Sequence, residues 1–200
     1  MVSSTPNTLK CVLTKNLDDT KKRSALAFCY SASKVDANAI GWLPKQAYDN
    51  RHDRGELLTL FNNDDLVGFI LMSRPSPYGE LRCLQIWVRR DARMMIHGRA
   101  LTDRLEEIAA ERHCWLLRLW CAEDLAANLF WEALGFQKRG WRWGPAKTPR
   151  RHNLWTRRVN PSSQLQAEVG PQGTVSLAPA TPAEFHRPSR TASPATDTPS

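Results

Sequence analysis

Short apolar runs and polar stretches alternate along the first part of the chain, and they predict strands and helices in turn. Residues 9–14 read as a short strand. Residues 19–35 have a helical composition, with Leu26 and Tyr30 four positions apart on one face. A second helix is predicted from Pro44 to His52, because proline suits the first turn of a helix.

A β-hairpin is predicted next. Residues 56–61 and 66–73 are apolar-rich and are separated by Asn62-Asn63-Asp64-Asp65, residue types that tolerate the left-handed turn conformation. After a proline-containing loop, residues 81–88 form a further strand candidate, in which Leu84, Ile86 and Val88 are expected to share one face.

The apolar spacing then changes to that of a helix. Leu101, Leu105 and Ile108 fall at i, i+4 and i+7 within residues 98–112, and residues 115–121 read as a buried strand. The predicted order of strands and helices indicates a mixed α/β layer.

The last predicted helix is bounded by a cap and a stop. Asp124 is expected to cap its start, and Gly135 is expected to end it. Its apolar stripe consists of Ala127, Phe130, Trp131 and Leu134. A final strand is predicted at residues 153–159, and residues 139–151 are expected to be a loop.

Composition limits the number of domains. Residues 9–160 carry the apolar pattern of one domain, residues 1–8 look loose, and residues 161–200 hold seven of the thirteen prolines. We expect this Pro/Ser/Thr/Ala-rich tail to be disordered.

The chain shows no apolar run near 18 residues and no secretory h-region, and its five cysteines contain no C-x-x-C pair. These features predict a cytoplasmic protein with reduced cysteines, no disulfide framework, no zinc knuckle and no membrane span.

The positive charge is concentrated near the end of the predicted domain. The net charge is +8, and residues 137–160 contain eight basic residues and no acidic one. Such a segment favours an anionic partner: cofactor phosphates, a nucleic acid bound through residues 138–158, or an acidic substrate. A solvated face without a ligand is the alternative.

A strand, loop and helix at residues 84–101 form the pattern with most chemical content. A loop that enters a helix directs unpaired backbone N–H groups into one concavity, where the helix dipole favours a pyrophosphate. Residues 88–101, VRRDARMMIHGRAL, resemble the acetyl-CoA loop of the GCN5-related N-acetyltransferases (GNAT), with Arg93 and Gly98 at matching places. Ile96 stands where that family usually has its first glycine, and a β-branched residue there is expected to narrow the loop.

A second segment also resembles that family. Residues 124–136, DLAANLFWEALGF, are similar to its Asn-x-x-Ala-x-x-Phe-Tyr-x-x-x-Gly-Phe segment, with Asp124 in place of Asn and Trp131 in place of Tyr. Together with the hairpin, the resemblance covers about 100 residues. It implies a GNAT-like fold: one domain with a mixed central sheet flanked by helices.

The resemblance implies acetyl-CoA as co-substrate and an amine-bearing acceptor. It also implies that the strand ending at Val88 diverges from the strand at residues 115–121, so that the main-chain N–H of Val88 can bond the thioester oxygen. Trp131 stands where the family often has a tyrosine acid, and Cys121 or water is the alternative proton donor. Glu80 and Glu56 are candidate bases, with a water chain as the alternative. The implied cofactor contacts are Trp87, Val88, Arg93, Met94, Met95, Ile96, His97, Gly98, Arg99, Asp124, Ala127, Phe130 and Trp131.

Three functions are therefore compatible with the sequence. The first is an N-acetyltransferase for an amine on a small molecule or protein, and the second is a nucleic-acid-binding protein of this fold that acylates a nucleobase. The third is an interaction protein without activity. Tryptophans interleaved with arginines near the end of the domain suit core and lid packing, an aromatic substrate wall or base stacking. The acceptor and the oligomeric state stay open.

Overall fold

A seven-stranded sheet forms the middle of the molecule, in a computed structural model that describes residues 8–93, 96–144 and 149–160. The predicted tail, residues 161–200, lies outside the described residues. The strands are β1 (Leu9–Leu13), β2 (Leu57–Asn62), β3 (Asp65–Met72), β4 (Glu80–Val88), β5 (Leu116–Ala122), β6 (Gln137–Trp143) and β7 (Arg151–Arg158). The helices are α1 (Asp19–Val35), α2 (Ala37–Ile40), α3 (Lys45–Asp53), α4 (His97–Glu111) and α5 (Ala127–Ala133).

The sheet order is β1-β2-β3-β4-β5-β7-β6. Every neighbouring pair is antiparallel except β4 and β5, which are parallel. That parallel pairing contains four residue pairs, from Glu80 with Leu116 to Cys83 with Leu119. β7, in contrast, pairs with the whole of β5. The second half of β4 therefore separates from β5, and the sheet opens there.

One face of the sheet is covered by α4 and α5. Leu101, Leu105 and Ile108 of α4 are fully buried in a cluster that also holds Trp131 and Phe136. Burying one such leucine or isoleucine stabilises the fold by about 1.5–3 kcal/mol. The predicted helix stripe is confirmed, and it fixes α4 beside the open part of the sheet.

On the other face, α1 and α3 pack against β2, β3 and β4. Cys29, Tyr48 and Phe69 are fully buried in this second cluster. α1 begins at the predicted residue, because the Asp18 side chain accepts hydrogen bonds from the N–H groups of Thr20 and Lys21 at 3.0 and 2.8 Å.

The expected alternation in β4 is wrong at Leu84. Leu71 pairs with Gln85 but Met72 pairs with Cys83, so Leu84 is an extra residue that forms a β-bulge. Because the bulge reverses the alternation, Leu84 is exposed rather than aligned with Ile86 and Val88 in the core.

Three other elements differ from the predictions. The loop expected at residues 139–151 is partly a strand, β6, whose side chains are almost all exposed. The α2 turn at residues 37–40 was not predicted. The hairpin connection is shorter than expected, since Asn62 and Asp65 pair with each other and leave Asn63 and Asp64 as the turn.

Asp124 does not cap α5, which is a further correction. The residue at the N-cap of α5 is Ala126, which makes no side-chain hydrogen bond there. Gly135 does end the helix as predicted, at a φ of 77° that suits glycine. Within the part of the chain that the structure describes, none of the helices is both long enough and apolar enough to span a membrane.

Candidate active site

The opening between β4 and β5 leaves main-chain groups of β4 without a strand neighbour. Arg89 N–H donates to Val67 O at 2.8 Å, so Arg89 and Trp87 direct their main-chain groups toward β3. Ile86 and Val88 alternate with them and direct their N–H groups toward β5, beyond the last β4–β5 pair at Cys83. From the sequence, the N–H group of Val88 was predicted to be available here. Ile86, whose N–H group has the same orientation, was not identified.

The first turn of α4 lies at the end of the loop that follows β4. The N–H groups of His97, Gly98 and Arg99 belong to this turn, where no helical carbonyl is available to accept from them. α4 has 15 residues, and its dipole adds positive potential at this end. Met94 and Met95, which were also predicted here, lie outside the described residues.

Side chains around this turn are placed differently from expectation. His97 is only 3% exposed and its Nδ1 lies 2.9 Å from Ala92 O, so the ring belongs to the core and does not face the loop concavity. Ile96 has ordinary right-handed helical φ and ψ angles and is 67% exposed. The isoleucine therefore causes no backbone strain in place of glycine. The Arg99 side chain is 71% exposed, with Asp103 at 3.6 Å.

Gly98 is required by the packing of α5. A Cβ atom at this position would lie 2.9 Å from Cε2 of Phe130. The Phe130 ring in turn packs edge-on against Trp131, with the ring centres 4.9 Å apart. The start of α4 and the α5 segment, two regions far apart in sequence, are thus in direct contact beside the opening. Ala127 is partly buried on the same side.

Asp36 connects the end of α1 to the end of β4, a connection that the sequence analysis missed. Its carboxylate accepts hydrogen bonds from Trp87 Nε1 at 2.7 Å, Arg90 Nη2 at 2.8 Å and Arg93 Nη2 at 2.7 Å. Hydrogen bonds from the Arg90 guanidinium and the Trp87 indole lower the pKa of the Asp36 carboxyl to about 2. Asp36 is therefore an anion at neutral pH. An adjacent cleft of about 360 Å³ is lined by Val35, Trp87, Arg89, Arg90 and Asp91.

The same contacts alter the expected role of Arg93. Arg93 was predicted to bind cofactor phosphates, but its Nε donates to Val88 O at 2.9 Å while its Nη2 donates to Asp36. The side chain thus joins the end of β4 to Asp36. Of the two arginines at the loop and helix start, Arg99 is the more available to a phosphate, because its side chain is more exposed.

The loop between β5 and α5 is linked to α2 through Arg150. Arg150 donates from Nε to Asp124 Oδ1 and from Nη1 to Asn38 O, each at 2.6 Å, and so links α2 to the loop before α5. Asn128, which the sequence analysis did not select, donates through Nδ2 to Ala122 O at 2.8 Å. Asp124 therefore binds an arginine and has no capping role.

Trp131 and Cys121 lie on the covered side of the sheet. Trp131 is 3% exposed and packs edge-on against Phe136 at 5.1 Å, so the structure makes it a core residue. Cys121 is 6% exposed on the part of β5 that has separated from β4. Burial raises the pKa of its thiol to about 11, so the group is protonated at neutral pH.

The structure places the two candidate bases, Glu80 and Glu56, at the start of β4 and just before β2, away from Val88. Glu80 begins β4, a nine-residue strand that spans roughly 26 Å at 3.3 Å per residue, and Val88 ends it. Its carboxylate pairs with Arg118 at 3.2 Å. Glu56 is 1% exposed and binds Arg51 at 2.7 Å. Both carboxylates are held in ion pairs with arginines, and a role as base stays a prediction for each.

The basic segment at residues 138–158 is not a continuous cationic surface. Most of its described cations have carboxylate partners: Lys138 and Arg151 with Glu123, Arg150 with Asp124, and Arg157 with Glu106. The strands β6 and β7 also place alternate side chains on opposite faces. This arrangement does not favour the nucleic-acid-binding hypothesis.

Solved structures share the fold. Ard1 from Thermoplasma volcanium is 18% identical, with a TM-score of 0.63 over 77% of this chain and 98% of that one. The ribosomal-protein-S18-alanine N-acetyltransferase from Escherichia coli is 18% identical, with a TM-score of 0.58 over 76% and 94% of the two chains. The yncA protein from Salmonella typhimurium, solved with its cofactor acetyl-CoA, is 14% identical, with a TM-score of 0.61 over 77% and 95%.

Sequence comparison identifies the family. No curated protein matches the chain at a significant level. The profile of the acetyltransferase (GNAT) family matches residues 23–136, more than half of the chain, and this range includes the opening, the α4 turn and the α5 segment. The chain therefore belongs to the acetyltransferase (GNAT) family, the N-acetyltransferases that use acetyl-CoA as acetyl donor.

Proposed function

We propose that this chain moves an acetyl group from acetyl-CoA to an amine of a small-molecule or protein acceptor, by direct attack of the amine on the thioester. The new C–N bond replaces the C–S bond, and the products are an amide and the free thiol of coenzyme A. The observation that carries the proposal is the opening of the sheet, where Ile86 and Val88 present N–H groups that no strand accepts. We assign the activity to residues 9–160.

The residues around the opening fit a coenzyme A molecule. Backbone N–H groups of residues 97–99 suit the diphosphate, and Arg99 supplies an exposed cation at the same turn. The pantetheine arm, which carries amides, has hydrogen-bond partners along the unpaired part of β4. Phe130 and Ala127 provide apolar surface beside it.

The main chain performs most of the proposed chemistry. An N–H group of Val88 or Ile86 that bonds the thioester oxygen stabilises the charge that develops there during attack. A thiolate is an acceptable leaving group, so a strong side-chain acid is not required. The thiolate takes up a proton from water or from the neutral Cys121 thiol, and the attacking nitrogen releases one to water. Buried Trp131 contributes packing. The proposal includes a cytoplasmic location, since all five cysteines are free.

A thermal-shift experiment tests this proposal with acetyl-CoA, desulfo-CoA and no ligand. At a hundredfold excess over Kd, a ligand that binds only the folded state stabilises it by about 2.7 kcal/mol, which raises Tm by several degrees. We expect this shift for both coenzymes. In Gly98→Glu the shift should disappear, because the new side chain adds bulk against Phe130 and a negative charge at the phosphate turn.

Ala133→Glu is the matched control. It adds the same side chain at an exposed position of α5, away from the α4 turn. The control should keep the full shift. A wild-type protein that acetyl-CoA does not stabilise at millimolar concentration would refute the proposed function.

A further inference from the structure

On the side opposite α4 and α5, none of the described helices packs on β5, β7 and β6. In β5 the residues Leu117, Leu119 and Cys121 are buried beneath those helices, so Arg118 and Trp120 alternate with them onto the other side. The described helices α1 and α3 pack there against β2, β3 and β4 instead. We call the uncovered side of β5, β7 and β6 the open face.

Trp120 lies on the open face next to the opening. The last β4–β5 pair is Cys83 with Leu119, so Trp120 is the first residue of β5 beyond that pairing. The cofactor turn of α4 is on the opposite side of the sheet. An amine that attacks the thioester through the opening therefore approaches past Trp120.

Two guanidinium groups stack on Trp120. The Arg142 guanidinium carbon lies 4.2 Å from the ring centre, and that of Arg118 lies at 5.7 Å. Arg142 comes from β6, the edge strand, where it pairs with His152, and its side chain reaches across β7 to the Trp120 ring. A guanidinium over an aromatic ring is attracted to the ring face and keeps N–H groups that can donate to an anion.

The charges on this face are not balanced. Glu80 lies 3.2 Å from Arg118 and 3.7 Å from Arg82, so one carboxylate serves two arginines. Among the described residues, no carboxylate lies within ion-pair distance of Arg142. Its guanidinium contacts the Trp120 ring instead. His152, which pairs with Arg142 in the sheet, adds no negative charge. The same cations disfavour a second copy of this face as partner, because like charges would meet.

We propose that the acceptor is an amine that carries a carboxylate on the same molecule, and that Arg142 binds this carboxylate while Trp120 supports the arginine and the body of the acceptor. A planar guanidinium binds a carboxylate through two parallel hydrogen bonds, which fixes the direction of the acceptor as well as its affinity. This inference rests on the proposed acetyltransferase activity and specifies its acceptor class.

The test compares amino acids with the amines formed by their decarboxylation. Tyrosine and tyramine, histidine and histamine, and phenylalanine and phenethylamine differ within each pair by one carboxylate, and the second member of each pair has none. Release of free coenzyme A thiol gives kcat and KM for each compound, over a panel extended to all common amino acids. For at least one pair, wild-type protein should use the amino acid at least tenfold better in kcat/KM.

Arg142→Gln and Arg151→Gln form the matched variants. Arg151 also stacks on a tryptophan, 4.3 Å from the ring centre of Trp141, but on the covered side of the sheet. Arg142→Gln should raise KM for the preferred amino acid at least tenfold and change the decarboxylated partner less than twofold. Arg142→Lys should recover part of the loss, and Arg151→Gln should preserve the preference.

The outcomes separate this inference from the proposed function. If acetyl-CoA stabilises the protein but no amino acid is used better than its decarboxylated partner, the acceptor class is wrong and the transferase activity stands. Equal losses for both members of a pair in Arg142→Gln, or the same loss in Arg151→Gln, would also overturn it. Absence of acetyl-CoA binding would overturn the proposed function instead.

Discussion

Replacement of Asp36 by asparagine should destabilise the protein in a pH-dependent way. The folded structure lowers the pKa of this carboxyl from 3.8 to about 2 through Arg90 and Trp87, and the side chain is 9% exposed. Each unit of pKa is worth about 1.4 kcal/mol. With allowance for screening at the edge of the cleft, Asp36→Asn should cost about 1–2 kcal/mol at pH 7, or a Tm decrease of several degrees.

The sign of the pH dependence follows from the lowered pKa. A carboxyl whose pKa is lowered by folding stabilises the protein above its ordinary pKa and loses that contribution as the pH falls through the folded value. The difference in free energy of unfolding between wild type and Asp36→Asn should thus be constant from pH 7 to about pH 5. It should shrink between pH 4 and pH 2, to roughly half at pH 3.

Urea unfolding at pH 7, 5, 4 and 3 measures this difference. Asp91→Asn is the control, because Asp91 lies in the loop whose Arg90 and Arg93 bind Asp36, but its own side chain is 65% exposed and pairs with Arg89. It should destabilise the protein less than Asp36→Asn does at pH 7. The reasoning is refuted if the two variants are equally stable, or if the effect of Asp36→Asn is undiminished at pH 3.

Three further predictions concern packing and reactivity. Gly98→Ala should lower the free energy of unfolding by about 1 kcal/mol and acetyl-CoA affinity about fivefold, because the new Cβ would lie 2.9 Å from the Phe130 ring. Urea unfolding and calorimetric titration measure these two effects, and wild-type values would contradict the contact. Gln85→Leu should lower the free energy of unfolding by about 1–3 kcal/mol, because the buried Tyr48 hydroxyl loses its acceptor at 2.8 Å. A variant with wild-type stability in urea unfolding would exclude that hydrogen bond. Iodoacetamide at pH 8 should label Cys121 far more slowly in native protein than in urea, because burial raises the pKa of the Cys121 thiol to about 11. Peptide mass spectrometry measures both labelling rates, and equal rates would disprove this burial.

Elements with strong local patterns could be predicted from sequence. α1 matches its predicted range because Asp18 is a favoured cap, and α4 matches closely because Leu101, Leu105 and Ile108 have helical spacing. β6 could not be predicted in the same way. Its sequence QKRGWRW has no apolar alternation, since the strand is at the sheet edge and is defined by its pairing with β7.

Only the part of the candidate site that is formed by main-chain N–H groups could be predicted from the sequence. The turn at Gly98 was located from a short motif, because backbone N–H groups depend little on neighbouring side chains. The bulge at Leu84 depends on the register between two strands, and the role of Asp36 depends on Trp87 and Arg93, more than fifty positions away. Such distant partners leave no local signal in a single sequence.

The short contact between β4 and β5 also has a consequence for the lifetime of the protein in the cell. Only four residue pairs join the strands, so a bound coenzyme would supply hydrogen bonds that the polypeptide itself lacks. Under the proposed function, the population of locally opened molecules then falls as acetyl-CoA accumulates, and proteases act on that population. The abundance of this protein would therefore rise and fall with the supply of acetyl groups.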